Sequence, residues 1–225
     1  MSIELIAHFM RLTAKINWKA HSDAQKEKKQ SMPDRRRSNE QVYQLDIRLA
    51  FIDPPIWRRI LVSDKILLPG LHHLLQVVMG WEHSHLYQFI AGSKRYGEPD
   101  PDYNDDMQSD RRIRLRDIAR EKGASFVYEY DFGDSWRHVI TVEDLWFRTE
   151  DSIVPRCLQG ERACPPEDCG GIGGYARLLE ALRDRRHPEH RQLRAWAGAH
   201  FDPACFSVQA VNSALGLLVA LGVTD

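Results

Sequence analysis

The stretch Phe126-Val127-Tyr128-Glu129-Tyr130-Asp131-Phe132-Gly133-Asp134-Ser135-Trp136-Arg137-His138-Val139-Ile140-Thr141-Val142 decides the fold. Phe126, Tyr128 and Tyr130 recur with a period of two, and Trp136, His138, Ile140 and Val142 take up the same period afterwards. Between them, Phe132-Gly133-Asp134-Ser135 supplies turn residues. Alternation of this kind is the mark of a strand with one buried face, and two such runs across a short turn form an antiparallel hairpin.

The same pattern appears upstream. Tyr43, Leu45, Ile47, Leu49 and Phe51 alternate with Gln44, Asp46, Arg48 and Ala50, and after Asp53-Pro54-Pro55 the run resumes with Trp57, Arg59 and Leu61. That predicts another hairpin. Pro69 then opens a helix whose apolar stripe is Leu71, Leu74, Leu75 and Val78, closed by Gly80. A further strand is expected from about His85 to Ala91, followed by an acidic loop around residues 97–106. Beyond Gly171 the period becomes helical: Tyr175, Leu178, Leu179 and Leu182, then Leu193, Trp196 and Ala197, then Val208, Val211, Leu215 and Leu218, with Ser207 as an N-cap. Strands come early, helices late, and the links suit hairpins. The expected class is α+β: an antiparallel sheet of two hairpins plus one further strand, covered by one early helix and a helical C-terminal third.

Residues 1–41 read differently. Ile3, Ile6 and Met10 have helical spacing and suggest a short amphipathic helix, but the following segment is polar, with Lys26-Glu27-Lys28-Lys29 and Arg35-Arg36-Arg37. Such a composition buries too little to offset chain entropy, so a flexible basic lead is expected before a single domain over residues 42–225. The chain of 225 residues, 43% hydrophobic and 28% charged, suffices for one core. A net charge of -1 gives no global attraction to nucleic acid or anionic membrane. No apolar run reaches the ~20 residues of a membrane span, and no basic region precedes the N-terminal apolar stretch as in an export signal. A cytoplasmic location is expected, with the four cysteines reduced.

Three of those cysteines cluster as Cys157, Cys164 and Cys169. Their spacing lacks a Cys-x2-Cys knuckle, yet the loop could fold back and, with His138 from the hairpin, complete a tetrahedral set suited to zinc. The alternative is that the thiols simply pack a loop. His138 shares a strand face with Trp136 and Ile140, so it is expected to point inward and to bridge the hairpin to the cysteine loop. Asp131, Asp134, Glu167 and Asp168 are the candidate catalytic carboxylates, with Glu143 nearby, although turn formation and helix capping also account for each. His83 and His85 could share a metal with His72-His73 one helix away. The plainer reading, preferred here, puts His85 in a polar spot under the sheet and His83 in solvent. His85, Trp136, Arg185 and Arg186 are the candidates for contact with a partner, and the arginine-rich segment 183–194 also reads as a solvated helix face.

Two apparent motifs fail on context. Asp131-Phe132-Gly133 has no kinase catalytic loop before it, and Gly171-Ile172-Gly173-Gly174-Tyr175-Ala176 follows a Pro-Pro loop rather than the strand of a dinucleotide fold. A simple anion at that helix N-terminus stays open.

Taken together, Tyr43-Gln44-Leu45, Pro55-Ile56-Trp57-Arg58-Arg59, Leu71-His72-His73-Leu74-Leu75-Gln76, Gly80-Trp81, His85-Leu86-Tyr87-Gln88-Phe89, Tyr96-Gly97, Tyr130 to His138, and Cys164-Pro165-Pro166-Glu167-Asp168-Cys169-Gly170-Gly171 with Gly174-Tyr175 resemble the Ri-plasmid open-reading-frame-three-like proteins. Those proteins occur on plasmids and as passengers of insertion-sequence elements. The resemblance spans about residues 42–220 and implies a single α+β domain without prescribing an activity. A resolvase-like label used for some relatives finds no support, because a serine recombinase needs an activated serine and an arginine set near its N-terminus. The expectation is an accessory binding domain of mobile elements with a protein or nucleic-acid partner. The alternative is a metal-dependent hydrolase or nuclease working in the segment Tyr128 to Gly171.

Overall fold

The runs on either side of Asp53-Pro54-Pro55 form β1 (Gln41–Leu49) and β2 (Trp57–Ser63), antiparallel with Leu45 opposite Ile60. A computed structural model describes residues 39–99 and 106–222. The expected amphipathic helix and residues 1–38 of the basic lead therefore lie outside the described residues, as do residues 100–105 of the acidic loop, while Gln41, expected in the lead, already opens β1. Chain order continues with α1 (Leu68–Met79), β3 (Tyr87–Ala91), β4 (Lys94–Gly97), β5 (Met107–Ser109), α2 (Leu115–Ile118), β6 (Ser125–Tyr130), β7 (Trp136–Phe147), β8 (Arg156–Glu161), α3 (Gly171–Arg183), α4 (His190–Ala197) and α5 (Val208–Ala220).

The fold is α+β. Its strands make one sheet in the order β5-β4-β3-β6-β7-β1-β2-β8, antiparallel except for the parallel edge pair β4 and β5. The two long hairpins are joined to each other because the 12-residue β7 pairs with β6 at one end and β1 along most of its length. The sheet is larger than two hairpins and one strand. The short strands β5 and β8 form its edges, with β4 next to β5; charges mask the alternation in β4 and β8, and Arg156 and Glu161 on β8 guard against edge pairing.

The helical segments match the sequence pattern. Pro69 sits in the first turn of α1, and Gly80 closes it in the left-handed region at φ 99°, where a side chain is disfavoured. Leu71, Leu74, Leu75 and Val78 pack into one core with Tyr43, Leu45 and Ile47 of β1 and Tyr128 and Ile140 of the second hairpin. Each such burial is worth about 1.5–3 kcal/mol. The Ser207 hydroxyl accepts from the Ala210 N–H at 3.2 Å to start α5, which packs on α1 and β8 through Val211, Leu215 and Leu218.

The position of β8 matters for the site. It follows β7 in sequence but pairs with β2, so β1 and β2 stand between β7 and β8. Three strand spacings amount to roughly 14 Å.

Candidate functional site

Three loops meet at the end of the sheet where α1 terminates: residues 81–86, the turn between β6 and β7, and the loop that leads into α3. Trp81, buried against Tyr130 and Trp136, donates from Nε1 to the Pro165 carbonyl at 3.0 Å. Glu167 is then fixed through Oε1, which accepts from the Glu82 N–H at 2.9 Å and the Tyr130 hydroxyl at 3.0 Å. Asp134 of the turn accepts from the Gly170 N–H at 3.1 Å, holding the other end of the same loop. Two glycines permit the close approach: a Cβ at Gly174 would lie 1.8 Å from the Cys169 carbonyl, and one at Gly171 2.8 Å from the Asp134 carbonyl. Gly171 and Gly174 are there for packing.

These ties gather one imidazole and three carboxylates. From His85 Nε2 the distances are 3.1 Å to Asp168 Oδ1, 3.7 Å to Asp131 Oδ2 and 3.7 Å to Glu167 Oε2. Asp131 is nearly buried and its other oxygen accepts from the N–H groups of Gly133 and Asp134, which sets its direction. His85 Nε2 and Glu167 Oε2 are both shielded from solvent, and neither has an aligned hydrogen-bond partner. Buried polar atoms without partners are costly and uncommon. Burial pushes the Glu167 carboxyl above its ordinary pKa, against the pull of its two donors and His85.

On the other side of His83-Ser84-His85 stands a second group. His72, His73 and His83 present ring nitrogens within 4.8 Å of one another. His72 is fully buried, lies flat on Tyr87 with ring centroids 3.6 Å apart, and reaches the Tyr128 hydroxyl through Nδ1 at 2.7 Å. Its Nε2 faces His83 Nδ1. Gln76 braces both sides, donating to the Tyr128 hydroxyl at 3.0 Å and accepting from the His83 N–H at 2.8 Å. Burial, reinforced by the neighbouring imidazoles, pushes His72 well below the ordinary imidazole range and His73 down to about 4. A cleft of about 520 Å³ opens beside both groups, lined by His83, His85, Tyr87, Asp110, Arg111 and Phe132.

The family model of plasmid pRiA4b ORF-3-like proteins matches residues 41–210. The chain belongs to that family. The ORF-3-like chain is 38% identical over 181 residues to the uncharacterized protein y4hQ of Sinorhizobium fredii, covering 80% of itself and 93% of that protein. Among solved structures it resembles the crystal structure of the protein of unknown function MM3350 from Methanosarcina mazei Go1. There the TM-score is 0.69 at 34% identity, covering 76% of this chain and 97% of that one.

The ORF-3-like fold unites some of the residues singled out in the sequence and separates others. Asp131, Glu167, Asp168 and His85 converge. Asp134 holds the loop instead of facing His85, and Glu143 is taken up by Arg59, with Nε and Nη2 bonds of 2.5 and 2.6 Å. His138 is buried as expected, but its Nδ1 pairs with the Tyr128 carbonyl at 3.1 Å and its ring meets Trp81 edge-on. It does not bridge to the cysteine loop. Cys157 is on β8, across β1 and β2 from His138, and among the described residues neither potential ligand cluster contains a cysteine or His138. The expected Cys157, Cys164, Cys169 and His138 tetrahedron is therefore not formed. Burial instead keeps Cys164 and Cys169 protonated, with thiols pushed up to about 12. Trp136 is a core residue with 1% exposure, so it presents no contact surface. Arg185 and Arg186 do line a basic cleft of about 830 Å³ with Arg191 and Arg194.

Tyr128, Tyr130 and Gln76 were not anticipated as parts of a site. One signal was available. Tyrosine in place of phenylalanine at two inward-facing positions means two buried hydroxyls that need partners.

Proposed function

We propose that this protein is a metal-dependent hydrolase centred on His85, Asp131, Glu167 and Asp168. The observation that carries the reading is the convergence of three carboxylates on His85 Nε2, with Asp168 Oδ1 at 3.1 Å and Asp131 Oδ2 and Glu167 Oε2 at 3.7 Å, while His85 Nε2 and Glu167 Oε2 are shielded and lack an aligned hydrogen bond. Groups that converge on a common point without aligned hydrogen bonds between them suit a cation at that point. One nitrogen and several oxygens favour a hard or borderline divalent ion such as manganese or zinc. His85, Asp131 and Asp168 would hold the ion, which lowers the pKa of a bound water. Glu167, with its raised pKa, would take the proton from that water and pass it to the leaving group.

The test combines metal titration with turnover of bis(4-nitrophenyl) phosphate and 4-nitrophenyl acetate. Manganese- or zinc-dependent turnover is expected, falling by about 10²–10⁴-fold in Glu167→Gln while the ion still binds. Equal turnover with and without metal, or in wild type and Glu167→Gln, would overturn it.

A second reading, an accessory partner-binding domain of mobile elements, has its own support in the plasmid setting of the family and in the Arg185, Arg186, Arg191 and Arg194 cleft. It predicts DNA or RNA binding that weakens steeply with salt, and no shift even at low salt would leave only a protein partner. The four free cysteines support a reducing, cytoplasmic setting, and among the described residues no helix is long and apolar enough to cross a membrane.

A further inference from the structure

We infer that His72, His73 and His83 form a second and independent metal site, selective for an imidazole-preferring divalent transition ion such as zinc, cobalt or nickel. It does not depend on the hydrolase reading, and no residue is shared between the two.

The geometry comes first. The three ring centroids make a compact triangle with sides of 5.2 Å (His72–His73), 4.5 Å (His72–His83) and 4.8 Å (His73–His83). Three nitrogens bound at about 2.0–2.1 Å to a tetrahedral ion stand roughly 3.4 Å apart, so small side-chain rotations close the set. His72 and His73 are adjacent on α1, and His83 reaches them because its backbone takes φ 57° immediately after the turn that ends the helix. A non-glycine residue in the left-handed region is uncommon and costs energy, which the bond from its N–H to Gln76 helps to offset.

The surroundings are those of a supported ligand set. Metal-binding imidazoles commonly use their second nitrogen to bond an outer group that fixes ring orientation. His72 does this through Nδ1 to Tyr128, and stacking on Tyr87 leaves its ring no freedom to turn. With Nδ1 engaged by the Tyr128 hydroxyl, the Nε2 atom points at His83. Its facing atom there is another ring nitrogen, His83 Nδ1. Two ring nitrogens that face each other at this range are joined either by one shared proton or by a cation that both bind. Three imidazoles in one place bring no negative charge with them. The site therefore favours ions that bind nitrogen strongly and discriminates against magnesium and calcium, which need oxygen. His83 lines the 520 Å³ cleft, so the fourth coordination position opens to solvent.

The experiment is cobalt titration of tag-free, full-length protein, followed by its visible absorption and by calorimetry, with zinc and magnesium as comparison ions. Wild type is expected to bind cobalt with a tetrahedral visible band, to exchange it for zinc, and to leave it in place when magnesium is added. His73→Gln and His83→Gln should abolish the band, and Tyr128→Phe should weaken binding by about 10–100-fold. Asp131→Asn should leave the band unchanged, which separates this site from the carboxylate site. Far-ultraviolet circular dichroism checks that the half-buried His73 and exposed His83 variants fold. Absence of the band in wild type, or its persistence in folded His73→Gln and His83→Gln, would overturn the inference.

Discussion

Trp81 Nε1 and the Pro165 carbonyl oxygen lie 3.0 Å apart, a single hydrogen bond joining the end of α1 to the loop that carries Glu167 and Asp168. Both partners are buried, so the bond works away from competing water. Through it, a helix packed into the sheet sets the position of a loop 84 residues further along the chain. Trp81→Phe keeps most of the packing and removes the donor. It should cost about 1–3 kcal/mol in chemical denaturation, the penalty of an unmet buried carbonyl, and weaken metal binding at His85 more than at His73.

Gly173 and Gly174 are adjacent in α3 but are expected to respond oppositely to alanine. A Cβ at Gly174 would fall 1.8 Å from the Cys169 carbonyl, backbone that cannot swing aside, whereas nothing lies within 4 Å of one at Gly173. Gly174→Ala should destabilise by at least about 1–3 kcal/mol through overpacking. Gly173→Ala should be neutral or stabilise by up to about 1 kcal/mol. Urea midpoints of the two variants check the contrast.

Arg58 is a buried cation satisfied by carbonyls. Its guanidinium donates to the carbonyls of Val78, Trp57, Glu161 and Arg162 at 2.7–2.8 Å and stacks 3.8 Å from the Phe206 ring. Lysine has neither the planar fork nor enough donors for these positions. Arg58→Lys should therefore lower stability by roughly 3 kcal/mol or more despite keeping the charge, read from the thermal or urea midpoint.

His138 predicts an acid response. Burial lowers its pKa from 6.5 to about 4, so the folded protein holds it neutral while the unfolded chain does not. Between those values the unfolded state binds the extra proton, and stability falls as the pH drops. The change is on the order of 3 kcal/mol across the window, complete near pH 4 and absent above 6.5. His138→Phe should make that part of the stability–pH curve shallower, the remaining slope coming from the buried His72 and His73, and leave the cysteine loop in place.

The hairpins, α1 and the C-terminal helices were legible in the sequence because their apolar residues repeat at the strand or helix period over enough residues to be read. The short strands at and next to the sheet edges were not. β4 and β5 are only four and three residues long, and β8 carries the cysteine that suggested a metal loop. The separation of His138 from Cys157 is a matter of topology: local pattern says that a strand follows β7, not that it crosses to the far side of β1 and β2. Asp131, Glu167 and Asp168 were visible as turn and cap residues, and His83 and His85 as a pair without a partner. What brings His85 to the carboxylates is the docking of residues 164–170 on Trp81 and Tyr130. That long-range event leaves little trace in the sequence beyond the polar cluster Glu82-His83-Ser84-His85 beside a tryptophan.

The most direct measurement is a crystal structure of the protein soaked in manganese, with anomalous differences collected to locate the ion. The account predicts a peak about 2.0–2.2 Å from His85 Nε2 and from oxygens of Asp131 and Asp168, with Glu167 within reach of a bound water. A map from crystals soaked at millimolar manganese that shows no peak among these four residues would contradict it.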